Sequence, residues 1–328
     1  MTILGHERVR ARLWRAADDN RLHHCLLFEG PEGVGKSLVA REFVLYVNCE
    51  AVERPCRACR SCRMLMAGTH PDHVVVGPDP ERATAVISAG QARAVVGALQ
   101  LQRHSARRRF VTLDPADILT EEAGNILLKT LEEPPEGTGF ILVSARPAAL
   151  LQTVRSRSQR VRFGPVSDAA MAAWGAEHEI APDVLRAAFG SPGLALRLAE
   201  GEAATRDEVA LALLDTLGQP LIRLLAFTEA QSKHSDGTAE RARLVLDVLA
   251  ELMRDVALIG GGRPERLLHP QHEARLRRWA RGLWPDGLGR VERVLALAGD
   301  RREVNVNGRI VLEAVLSAVN LELSQVPA

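Results

Sequence analysis

Over the first 165 residues, short apolar runs alternate with segments whose apolar residues recur at helical spacing. Val9, Leu13, Ala16 and Ala17 place one face of a helix over 6–20. HHCLLFEG (23–30) is an apolar run closed by glycine and reads as a buried strand, and the segment after Lys36 turns helical. HVVVGP (73–78), RRFVTLDPAD (108–117) and TGFILVSA (138–145) are further strands, and RSRSQRVRF (155–163) is a basic turn leading into a last short one. Between them, 89–103 is helical with Val95, Val96, Leu99 and Leu101 apolar. A second helix starts at Thr120, carries Glu121 and Glu122 in its first turn and stops at Pro134-Pro135. This alternation predicts a mainly parallel sheet with helices on both faces. Beyond Pro165 the strand pattern ends. Residues 167–205 hold short helical patterns broken at Gly190-Ser191-Pro192-Gly193. Residues 206–328 are helical, with breaks near 234–237, 260–264 and 284–289. The expected organisation is therefore α/β over 1–166, followed by two all-α domains over 167–205 and 206–328.

Composition narrows the class. The chain has 328 residues, 46% hydrophobic and 25% charged, which excludes a disordered chain, a collagen and a disulfide miniprotein. No apolar run approaches the roughly 18 residues of a membrane span, and MTILGHERVRARLW lacks a signal core, so a cytoplasmic location is expected. Forty-two basic residues balance 41 acidic ones to give +1, so any nucleic-acid contact must be local. Aromatics make up 4%, too few for a base-stacking platform. Lysine occurs only at 36, 129 and 233, which draws attention to those positions.

The first lysine sits in Gly30-Pro31-Glu32-Gly33-Val34-Gly35-Lys36-Ser37, a complete G-x-x-x-x-G-K-[ST] loop between a strand and a helix. Glycines let successive backbone N–H groups turn toward phosphate oxygens, and the helix beginning at Lys36 adds its dipole. Lys36 is placed for the terminal phosphates and Ser37 for Mg²⁺, so ATP with Mg²⁺ is a candidate ligand. Asp114, ending RRFVTLD, is the candidate acid to hold Mg²⁺ through water.

Four of the five cysteines, Cys49, Cys56, Cys59 and Cys62, lie within an Arg- and Pro-rich insert at about 49–70. Two overlapping C-x-x-C units plus Cys49 at a helix end make four sulfur ligands, the set for a closed structural Zn²⁺ site. Arg54, Arg57, Arg60 and Arg63 are placed to offset the charge of a tetrathiolate. Cys25, within CLLF, reads as a buried apolar residue.

The run LDPADILTEEAGNILLKTLEEPPEGTGFILVSARPAALLQTVRSRSQRVRF resembles the corresponding block of bacterial sliding-clamp loader subunits of the AAA+ type. The start LGHERVRARLWRAADDNRLHHCLLFEGPEGVGKS and the cysteine cluster are similar to the same family, and GSPGLAL (190–196) and REVNVNGRIVLEAVLSAV (302–319) to its stator rather than its motor subunits. The resemblance implies that 1–166 is the AAA+ domain, 167–205 a helical lid and 206–328 a collar that holds a ring together. It implies partners: gamma/tau and delta subunits, the beta sliding clamp and primer-template DNA, with no membrane. It also implies that Arg157, in Ser156-Arg157-Ser158, is an arginine finger acting on a neighbour's nucleotide; the family's cysteine after that arginine is Ser158 here. Motor subunits carry a glutamate base after the acid at 114, where this chain has Pro115, and a sensor arginine where it has Pro192-Gly193. Weak or absent hydrolysis is expected, since a positioned base contributes about 10²–10⁴ in rate. Leu312, Val315, Leu316, Val319 and Leu323 form a stripe that suits either a collar contact or the core of their own domain.

Overall fold

A computed structural model describes residues 3–81, 85–232, 238–301 and 308–324. Lys233, the break expected at 234–237 and residues 302–307 of the C-terminal motif lie outside the described residues. The chain divides into two compact units, one comprising 1–180 with 188–195, the other 181–187 with 196–328.

The first unit contains α1 (Glu7–Asp18), β1 (Cys25–Glu29), α2 (Lys36–Asn48), α3 (Arg60–Met66), β2 (His73–Val76), α4 (Ala89–Gln100), β3 (Arg109–Leu113), α5 (Glu121–Glu132), β4 (Thr138–Ser144), α6 (Gln152–Ser156), β5 (Gln159–Arg162) and α7 (Asp168–Glu177). The five strands form one sheet in the order β2-β3-β4-β1-β5, and every pairing is parallel. β1, β3 and β4 are buried along their whole lengths, which explains their unbroken apolar runs. Alternate residues serve opposite faces. Leu26, Phe28, Phe110, Ile141 and Val143 pack with Val39, Phe43 and Val44 of α2. Cys25, Leu27, Val111, Leu113, Phe140 and Leu142 pack with Val95 and Leu99 of α4 and Leu127 and Leu131 of α5. The helix expected over 89–103 ends at Gln100, so Leu101 lies past it and is 70% exposed. The Thr120 hydroxyl caps α5 by accepting from the Ala123 amide.

The edge strand β2 carries a packed histidine. The His73 ring meets the Thr112 hydroxyl at 3.1 Å, and burial pushes its pKa down to about 4, with His70 and Arg41 adding repulsion. The unfolded chain therefore takes up this proton first: the contribution is complete above the ordinary histidine value and is lost as pH falls from about 6.5 toward 4, an effect of order 3 kcal/mol. Denaturant midpoints at pH 7 and pH 4.5 should separate less for His73→Gln than for the unsubstituted chain; equal separations would remove His73 from the acid response.

The second unit contains α8 (Pro182–Ala187), then, after the α9 segment (Pro192–Arg197) that straddles the division, α10 (Ala203–Thr216), α11 (Leu221–Ser232), α12 (Thr238–Gly260), α13 (Glu273–Leu283), α14 (Asp286–Arg301) and α15 (Gly308–Ser324). Its core takes Leu213, Leu249, Leu252, Val256 and Leu276. Leu312, Val315, Leu316, Val319 and Leu323 belong to that same core, so the stripe on α15 serves its own unit. The break at Gly218-Gln219-Pro220 went unread in the sequence. It is sealed from α15: Asn320 Oδ1 accepts from the Gly218 amide at 2.6 Å, and Asn320 Nδ2 donates to the Gln219 carbonyl at 3.1 Å. No helix among the described residues is long and apolar enough to cross a membrane.

Candidate nucleotide loop, cysteine cluster and arginine turn

The phosphate loop leaves the carboxyl end of β1 and enters α2, whose N-cap is Gly35. Gly33 has φ +74°, and a side chain there would run into the Ser191 hydroxyl. The reason is the segment 190–193, whose contact with the loop no sequence pattern showed. The Gly193 amide donates to the Gly33 carbonyl at 2.9 Å, Ser191 Oγ donates to the Glu32 carbonyl at 2.8 Å and accepts from the Leu194 amide at 3.2 Å. A Cβ at Gly193 would stand 2.9 Å from the Gly33 Cα, so a glycine, not an arginine, suits this approach of two backbones.

Lys36 is buried, and its Nζ donates to the carbonyls of Gly30 at 2.7 Å and Pro31 at 2.6 Å. Burial pushes its pKa down, against the attraction of Asp114, Asp117 and Glu32. Asp114 follows β3, which is two places from β1 with β4 between them rather than its direct neighbour. Its carboxylate still reaches the loop: burial raises its pKa, while a hydrogen bond from Ser37 and the Lys36 charge act the other way. Gly30, Gly33, Gly35, Lys36, Ser37 and Asp114 are thus brought together at one end of the sheet. Two neighbouring carboxylates, Glu29 and Asp117, are occupied. Glu29 is buried and accepts from Arg160 Nε at 2.7 Å and Arg162 Nε at 3.0 Å. Asp117 accepts from the Ala145 amide at 3.1 Å and from Arg146 Nε and Nη2 at 3.1 and 3.0 Å. The alternation Arg160-Val161-Arg162, with Val161 buried between two exposed positions, was the sequence signal for the first of these pairings.

The four cysteines of the insert converge. Their Sγ atoms all lie within 4.8 Å of one another. Tetrahedral zinc with bonds of about 2.3 Å separates its sulfurs by about 3.8 Å, so the donor set fits that ion with little adjustment. Cys49 follows the last residue of α2, Cys59 caps α3, and Cys62 lies in its first turn. Backbone amides of Cys56, Cys59 and Cys62 donate to the sulfurs of Cys49, Cys56 and Cys59 at 3.3, 3.3 and 3.4 Å. Amide donors, chiefly those of Ala58 and Cys59, lower the Cys56 thiol to about 6, whereas burial and neighbouring sulfurs push Cys62 up. Four thiolates in one place require a cation among them, and this cluster could bind a metal such as zinc. The insert is not a loose appendage, because Cys49, Cys62 and Leu65 join the core beside α2. Nor do all its arginines face the cluster: Arg54 pairs with Asp18 at 2.7 Å, Arg57 with Glu42 at 3.3 Å, and Arg63 Nη1 donates to the Ala58 carbonyl at 2.8 Å. Cys25 stands apart, fully buried at the start of β1, 3.2 Å from the Ser158 hydroxyl and pushed up to about 11 by burial.

Arg157 caps the end of α6 and is a third exposed. Its guanidinium forms an ion pair with Glu132 at the end of α5, with Nε 2.6 Å from Oε1, and Nη1 donates to the Thr153 carbonyl at 3.0 Å. Glu132 as its partner was not foreseen; the signal was an acid in Leu131-Glu132-Glu133, just before the Pro134-Pro135 stop.

Residues 5–167 match the family profile described as DNA polymerase III, delta subunit. The DNA polymerase III subunit delta-prime of Yersinia pestis is 30% identical over 256 residues, 71% of this chain and 71% of that protein. The chain belongs to the DNA polymerase III delta-prime family. The Pseudomonas aeruginosa delta-prime subunit is 34% identical over 195 residues, and the match spans 57% of this chain and 59% of that protein, so a good part of that relative lies outside it. A tau/gamma subunit of Haemophilus influenzae is 34% identical over 157 residues, 47% of this chain but 22% of that longer protein. The match to the Yersinia pestis delta-prime subunit covers more of this chain than the match to this tau/gamma subunit does.

Proposed function

We propose that the chain is the stator subunit of a sliding-clamp loader: it takes part in ATP-dependent loading of the beta clamp on primed DNA and lends Arg157 to the nucleotide site of an adjacent motor subunit. The observation that carries this reading is Pro115. Proline follows the acid of a complete phosphate loop, and it accepts no proton. Of the carboxylates near the loop, Glu29, Asp114 and Asp117 are held by Arg160 and Arg162, by Ser37 and by Arg146. Lys36, Ser37 and Asp114 would hold ATP with Mg²⁺, and Pro115 supplies no base there to activate water for attack. Cys49, Cys56, Cys59 and Cys62 would hold structural Zn²⁺. The domain plan that accompanies this reading is an AAA+ domain over 1–166 with the zinc module at about 49–70, a lid over 167–205 and a collar over 206–328. Its partners are gamma/tau and delta subunits, the beta clamp and primer-template DNA, in the bacterial cytoplasm.

A gamma/tau-type motor is the second reading, supported by the intact loop and the tau/gamma relative. Steady-state ATPase of the purified chain separates the two. The stator reading expects turnover at least about a hundredfold below that of gamma/tau, with primed DNA and clamp present. Turnover at the motor's own rate would establish that another group takes the base's place.

A further inference from the structure

At the end of the sheet opposite the phosphate loop, the residues that precede β1, β3 and β4 and the end of α2 line an open cavity of about 620 Å³. Its lining is apolar at Ala17, Leu22 and Val47 and basic at Arg54, Arg107 and Arg108. Arg54 is already neutralised, paired with Asp18 and laid over the Tyr46 ring at 4.5 Å. Arg108 is not. Its only side-chain hydrogen bond among the described residues runs from Nη2 to the Thr138 carbonyl at 3.3 Å, its Nε is buried without a partner, and no carboxylate pairs with it. Burial disfavours its charged form. A half-buried guanidinium with no counter-charge is costly, and the cost is relieved when an anion arrives. Arg107 beside it is exposed and likewise has no acidic partner among the described residues.

Both arginines are mounted on fixed backbone. Asn48 Oδ1 accepts from the Arg108 amide and Asn48 Nδ2 donates to the Arg108 carbonyl, each at 3.0 Å. A few residues upstream, the buried Asp72 carboxylate accepts from the amides of His104, Ser105 and Ala106 and pairs with Arg109. Burial would raise the Asp72 pKa, but these donors more than offset that and lower it to about 2. The loop is thus held on both sides of Arg107, so binding need not order it first.

We infer that this cavity is a binding site for a small phosphorylated organic molecule, its phosphate on Arg107 and Arg108 and its body on Ala17, Leu22 and Val47. Paired arginines suit a phosphate monoester. The apolar lining calls for a ligand with a carbon body, and the volume is that of a small-molecule site. Asp18 and Glu136 also line the cavity, so its charge is mixed and lacks the continuous basic groove that a nucleic-acid backbone follows.

Phenyl phosphate is a suitable probe, titrated by calorimetry into the full zinc-loaded chain carrying Lys36→Ala, so that the phosphate loop does not contribute. The expected result is one saturable site, weakened about tenfold or more by Arg107→Ala and by Arg108→Met, in line with the loss of a charge-assisted contact. Arg107→Ala changes an exposed side chain and keeps the test open if Arg108→Met does not fold; Arg108→Lys is a further check. No saturable binding, or binding indifferent to both arginines, overturns the inference. So does phenyl phosphate failing where a glutamate-rich peptide binds through Arg107 and Arg108, which would assign the site to a protein partner. Tighter binding of a single-stranded oligonucleotide, with a steep salt dependence, would assign it to nucleic acid.

Discussion

Arg157→Ala is expected to lower hydrolysis at the motor site facing this chain by about 10³-fold or more, the contribution of an arginine finger supplied in trans. The measurement is single-turnover ATP hydrolysis by a reconstituted loader whose other fingers have been removed, so that only that site reports. Size-exclusion chromatography should show the assembly intact. The Glu132 pair supplies the control. Glu132 is nearly half exposed and Arg157 a third exposed, and an ion pair in that setting contributes little to stability, about 0–1 kcal/mol. Glu132→Ala should therefore leave the rate within a few-fold. If Glu132→Ala matches the loss seen for Arg157→Ala, the arginine matters as a structural pin and the finger is wrongly assigned.

Loss of the metal should have the other large effect. The purified chain is expected to carry one zinc, measured by plasma mass spectrometry, and Cys59→Ser or Cys62→Ser should leave it with less than a tenth of that. Zinc sites of this kind supply about 10–16 kcal/mol of apparent binding energy to small folds. Here Cys62 and Leu65 also belong to the core beside α2, so the loss extends inward. Chelation or Cys62→Ser should lower the melting temperature of the first unit and open 49–70 to proteolysis. A chain that retains its melting temperature after complete removal of the metal would show that the cluster is not what holds the insert.

Much of this was legible in the sequence because the chemistry is local. A glycine loop between a strand and a helix, and cysteines at spacings of two and six, mark candidate sites in a few consecutive residues, and the fold brings each set together. The parallel sheet was legible because strands buried on both faces leave unbroken apolar runs. What escaped were contacts between distant segments. Ser191 and Gly193 read as a break between helices, and only the fold brings them to Glu32 and Gly33, about 160 residues upstream. Glu132 and Arg157 meet because α5 and α6 end side by side, which no periodicity records. Leu101 fitted the apolar pattern but follows the last turn of α4 and stays in solvent. The turn at Gly218 was hidden because its polar backbone is satisfied by Asn320 from another helix, not by its own neighbours.

The central claim is that this chain serves clamp loading as a subunit without being its motor. The most direct test is transfer of labelled beta clamp to primed DNA by gamma/tau and delta, with and without this chain, and with its Lys36→Ala variant. The account predicts that omission abolishes loading and that the Lys36→Ala chain restores it. Loading that proceeds equally well without the chain, or that fails with Lys36→Ala although the variant assembles, would contradict it.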